Sequence, residues 1–154
     1  MIIRLVLGLY LLSGFSSLVY EVIWTRLLTL TLGSTVYAVS TILAVFMTGL
    51  ALGSYLAGRI VGRQPRYSQN SYSPLVLYGF LEGAIGLYAL VLPFFLNWAE
   101  SGYLAIFTAL QPGFVPALMV QAAIAAGLLL PPTVLMGATF PLMCLALFLR
   151  ERQR

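Results

Sequence analysis

Histidine, aspartate and lysine are absent from this chain, and cysteine occurs once, as Cys144. A zinc or iron centre draws on clusters of His, Cys or carboxylate, and these residues are too few to build one, so no metal is expected. A single cysteine excludes any disulfide within the chain, and a lone Cys in an apolar run behaves as a small hydrophobe. Acids are nearly absent too: Glu21, Glu82, Glu100 and Glu151 are all there are. Charged residues make up 8% of the chain, against about a quarter in a soluble domain. That is too little charge to cover a water-facing globule. No two of the fourteen glycines stand two apart, so the G-x-G turn that seats a nucleoside cofactor is missing, and no cofactor is expected. No nucleophile–base pair meets the geometric minimum for chemistry, so the chain is not expected to be an enzyme. All eight basic residues are arginines, and most flank apolar segments. They form no basic stripe interleaved with aromatics, which excludes nucleic acid as a partner.

What the chain does have is oil. Hydrophobic residues make up 61% of it, with a mean hydropathy of +1.00. A spanning helix needs about 20 mostly apolar residues. Runs of that kind cover about 5–24, 36–58 and 75–96, and a longer one ends near Leu149. The expected fold is therefore an all-α integral membrane protein, a single bundle of four transmembrane helices. The fourth spans about 126–149 and is kinked at Pro131-Pro132, because proline removes a backbone donor. An outer segment, 97–125, precedes it, with a turn around Val115 to Gly127. Arg59, Arg63 and Arg66 share a polar loop, 59–74, and Arg150, Arg152 and Arg154 share the C-terminus. The positive-inside tendency places that loop and both termini in the cytoplasm. Five spans are the alternative, and would put the C-terminal arginines outside. The lipid partner expected is a bacterial inner membrane. Arg4 followed by "LVLGLYLL" has the outline of a signal peptide, but apolar character continues through "LVYEVIW", and an uncleaved first span is expected.

Within lipid, helices associate through small residues and polar contacts. Gly49 and Gly53 stand four apart on the second span, and Gly79 and Gly83 repeat that spacing on the third, with Gly86 beyond. These five are the expected helix-packing positions. At about 100° per residue, Glu82 shares a face with Gly79 and Gly86. Glu21 shares one with Gly14, Ser17 and Thr25, and Ser13 lies at its margin. An ionised group at mid-bilayer costs about 2.5–3.5 kcal/mol or more, so both acids are expected to face neighbouring helices and find partners there. Tyr78, Ser54 and Tyr55 are the expected partners for Glu82. Arg26 is the nearest cation to Glu21, yet five positions on it lies about 140° around the helix. Glu21, Arg26 and Glu82 form the candidate intramembrane polar site, and Tyr20 and Trp24 the expected anchors at the outer interface.

"SGFSSLVYEVIWTRLLTLTLGST" (Ser13 to Thr35) resembles the first membrane segment of the membrane-bound spermidine synthase-like proteins, in which a transporter-like membrane domain is fused to an aminopropyltransferase domain. "FMTGLALGSYLAGR" (Phe46 to Arg59), "YGFLEGAIGLYAL" (Tyr78 to Leu90) and "LPPTVLMGATFPLM" (Leu130 to Met143) continue the resemblance in the family order. It implies a multispanning bundle with Glu21, Trp24, Arg26 and Glu82 at the family's motif positions. It carries no activity across, because aminopropyl transfer in that family belongs to a soluble Rossmann-like domain. This chain has no Gly-rich turn and no Asp, and runs only to "LRERQR" past its last span, so the transferase is expected to reside elsewhere. "GSYLAGRIVGRQPR" (Gly53 to Arg66) is loosely similar to a cytoplasmic loop of major facilitator transporters, but Gly58 stands where that motif has an acid.

The leading functional expectation is a non-catalytic membrane subunit or scaffold, docking to a larger membrane complex or a separately encoded enzyme. The alternative is a small transporter-like unit for polyamines or other cations. Four spans are few for that task, so it would work as a homo-oligomer or with other subunits.

Overall fold

The computed structural model describes residues 2–32, 36–63, 74–110 and 113–151. These form four helices, α1 (Ile2–Leu32), α2 (Val36–Arg63), α3 (Pro74–Leu110) and α4 (Phe114–Glu151), with no strand among the described residues. All four are long and apolar enough to cross a bilayer. The chain is an all-α bundle built as an integral membrane protein is, with four such helices among the described residues.

The helices overrun the hydropathy boundaries. α3 has 37 residues and α4 has 38, so each extends roughly 55 Å at 1.5 Å per residue. A hydrocarbon core is about 30 Å thick, and part of each helix lies past it. The stretch expected as an outer segment, 97–125, is helical on both sides of the α3–α4 hairpin, where the sequence suggests a turn around Val115 to Gly127. A helix end in a polar layer keeps its internal hydrogen bonds, so loss of hydropathy does not by itself end it. The hairpin is tied by a hydrogen bond of 3.1 Å from Gln121 Nε2 to the Tyr103 hydroxyl. Most of the polar stretch 59–74, with Arg66, lies outside the described residues, as do Arg152 and Arg154.

The tightest packing joins α2 to α4, and glycine makes it. A Cβ on Gly49 would fall 2.7 Å from the Thr133 Cβ and collide with its hydroxyl. One on Gly53 would run into the Val134 carbonyl, 2.9 Å from Val134 Cα. The contact is reciprocal, since a Cβ on Gly137 would meet the Leu50 carbonyl, 2.9 Å from Leu50 Cα. Backbone therefore touches backbone, which only hydrogen side chains permit. The pairs 49 with 133 and 50 with 137 advance together, so these two helices run parallel.

The glycines of α3 behave differently. A Cβ on Gly79, Gly83 or Gly86 would meet no atom within 4 Å. No helix of this chain covers them. On the same helix the side chain of Glu82 meets Ser13 of α1, with Tyr78 beside it. Spacing of four makes a smooth helix face but does not supply the helix that covers it.

Proline in α4 is accommodated and does not end the helix, which continues through Pro131, Pro132 and Pro141. Pro132 lacks the N–H that would bond the carbonyl of Leu128, four residues back. The Tyr88 hydroxyl on α3 donates to that carbonyl at 2.8 Å instead. Thr133, fully buried, returns its own hydroxyl to the Leu129 carbonyl at 2.7 Å. The prolines thus become the point where α3 is bolted to α4.

Candidate functional site

The first helix is joined to α3 at two levels. At the lower one the Ser13 hydroxyl donates to the Glu82 carboxyl across the gap between helices. The Tyr78 hydroxyl adjoins both groups without the geometry of a hydrogen bond to either. It is the one buried side-chain polar atom among the described residues with no partner, on a residue only 8% exposed. In a medium without water such an orphan is costly, and here it stands beside an acid.

At the upper level Trp24 stacks on Tyr20 (ring centroids 5.4 Å apart) and meets Tyr88 edge-on at 6.5 Å. Tyr88 is the residue bonded to Leu128. One line of contacts therefore runs from α1 through α3 to the proline step of α4. Trp24 is 2% exposed and belongs to the hydrophobic core with Leu28, Ile42 and Phe46. Its ring is covered by this chain's own side chains. An indole flanked by two tyrosines on successive turns and an adjacent helix finds its apolar contacts inward.

Between these two attachments α1 stands away from the α2–α4 pair, leaving a partly open groove of about 360 Å³. Its walls carry Tyr10, Ser13, Ser17 and Glu21 from α1, Ser54 from α2, and Thr139 from α4, set among apolar side chains. Glu21 is half-buried there. Among the described residues it has neither hydrogen bond nor ion pair.

Compared with protein families, curated proteins and solved structures, the chain finds no match.

The geometry divides the expected site. Glu21 and Glu82 do not share a pocket: Glu82 is held by Ser13, and Glu21 faces the groove about 12 Å further along α1 by helical rise. Arg26 is exposed and makes no ion pair with either acid. Because α1 stays helical through Thr25, the turn between Glu21 and Arg26 is never loosened and their side chains diverge. Of the partners expected for Glu82, Tyr78 adjoins it, while the bond comes from Ser13; Ser54 lines the groove, and Tyr55 is exposed and accepts a 2.7 Å hydrogen bond from Arg59. Among the described residues no three of His, Cys, Asp and Glu come together to hold a metal ion.

Four residues central to this arrangement escape sequence reasoning: Tyr88, Thr133, Gly137 and Thr139. For Tyr88 a signal existed. A proline inside a spanning helix orphans the carbonyl four residues earlier, and a hydroxyl on a neighbouring helix is the natural donor for it.

Proposed function

We propose that the chain is a non-catalytic integral membrane subunit, docking with another membrane protein or a separately encoded enzyme. The observation that carries this reading is the contrast between its glycines. Gly49, Gly53 and Gly137 are filled by the facing helix of the α2–α4 pair, whereas Gly79 and Gly83, equally spaced on α3, are exposed with no atom within 4 Å. A smooth helix face in lipid is a surface that a further helix covers well. The resemblance to the membrane domain of spermidine synthase-like proteins supports the same reading.

The test is copurification from native membranes. A partner is expected to travel with the wild-type chain, and a Gly79→Leu/Gly83→Leu double variant is expected to lose it while folding normally. A wild-type chain that purifies monodisperse, stable and partnerless would overturn the proposal, as would a double variant that keeps its partner.

A second reading has one specific observation behind it. The unpaired carboxyl of Glu21 in a groove suits a small transporter-like unit for polyamines or other cations, working as an oligomer. Under that reading, Glu82→Gln abolishes cation flux into proteoliposomes while membrane insertion is preserved. Equal flux in both forms would remove it.

A further inference from the structure

The hydrogen-bonding inventory of the groove is lopsided. Ser13 has committed its proton to Glu82, and Thr139 has committed its own to the Met136 carbonyl at 2.6 Å. What these two hydroxyls can still offer is lone pairs. Ser17 and Ser54 have no partner among the described residues and can accept as readily as donate. Glu21 adds a carboxyl with no partner. No Arg lines the groove; the nearest along the chain, Arg26, is exposed elsewhere. The wall is thus rich in acceptors, carries one acid and contains no cation to neutralise it. Tyr10, which bears a hydroxyl, also lines the groove, and the rest of the wall is apolar, with Phe46, Met47 and Phe140 among it.

We propose that this groove between α1 and the α2–α4 pair binds a small organic ammonium ion with an aliphatic body. The ammonium brings three donors and a positive charge to Glu21, Ser17 and Ser54. The aliphatic part lies against Phe46, Met47 and Phe140, and the two phenyl faces also attract a cation. A volume of about 360 Å³ falls at the small end of ligand sites, roughly 300–1,000 Å³. Pairing with a bound cation also answers how Glu21 is accommodated inside a bilayer, where an isolated charge is costly. The competing occupant is a lipid acyl chain, which would ignore the carboxyl. The proposal rests on the groove of the second reading and names its ligand class, but equilibrium binding to one chain can hold or fail apart from flux.

The experiment measures binding of radiolabelled hexylammonium to the full chain in phosphatidylcholine nanodiscs, against empty nanodiscs. Partition into lipid is linear with concentration, so the saturable component belongs to the protein. That component is expected to be displaced by unlabelled hexylammonium and not by hexanol or hexanoate. Glu21→Gln is expected to weaken it by about tenfold or more, as loss of a charged hydrogen-bond partner does. A second variant guards against a misfolded first. A Cβ on Gly14, which lines the groove, meets nothing within 4 Å, so Gly14→Leu fills the space without disturbing packing. It is expected to melt as the wild type does and to bind no hexylammonium. Absence of a saturable component overturns the proposal. Equal displacement by hexanol, undiminished binding to folded Glu21→Gln, or binding retained in folded Gly14→Leu does so too.

Discussion

Gly53→Leu is expected to take the bundle apart. The new side chain has no rotamer that avoids α4, because its first carbon already lies inside contact distance of the Val134 backbone. A flexible side chain can swing aside, but a carbonyl in mid-helix cannot move without its helix. Overpacking in a tight core costs about 1–3 kcal/mol, occasionally more, and backbone obstruction puts this case at the upper end. Separation of α2 from α4 would also pull Gly137 off the Leu50 carbonyl and Gly49 off Thr133. The measurement is reversible unfolding in mixed micelles, followed by helicity and by Trp fluorescence. Gly79→Leu is the control: the same change meets open space on α3, and stability should hold or rise by up to about 1 kcal/mol, since Gly is the poorer helix former. Equal stability of the two variants would show that α2 and α4 do not touch as described.

The second large effect is at Tyr88. Tyr88→Phe keeps the ring that meets Trp24 and Phe95 and removes only the donor to the Leu128 carbonyl. That carbonyl is already deprived by Pro132, so it becomes wholly unsatisfied, at a cost of about 1–3 kcal/mol. The decisive result is the rescue. Pro132→Ala restores an N–H four residues after Leu128, so in its presence the Tyr88→Phe penalty should shrink to a small fraction. The four-way comparison of wild type, both singles and the double isolates this coupling. Additive effects would mean that the hydroxyl serves some other purpose.

Membrane character and helix number were legible because they depend on composition: scarce charge and long apolar runs leave few alternatives. Facing was less so. In a soluble bundle the apolar stripe tells a helix which side goes inward, but these helices are apolar all round. Gly49 and Gly53 could be singled out by spacing, yet identical spacing at Gly79 and Gly83 leads to open space. The difference is supplied by Gly137 and Thr133, more than seventy residues away from the α2 row. The acids were legible as inward-facing groups in need of partners, and Ser13 was within view as a residue at the margin of the Glu21 face. That Ser13 would bond Glu82, and leave Glu21 unpaired, depends on how α1 slides along α3. The burial of Trp24 was hidden for a related reason: aromatic enrichment at the interface is an average, and an indole between two tyrosines can be core.

The parallel contact of α2 with α4 also bears on how the molecule comes into being. The polypeptide threads into the bilayer in order, so α2 enters with its smoothest face bare, and the helix that fits it is the last of the four to arrive. Until then α1, α2 and α3 have only looser contacts to hold them. The α2–α4 contact can therefore close only after residues 133–137 of α4 have been made.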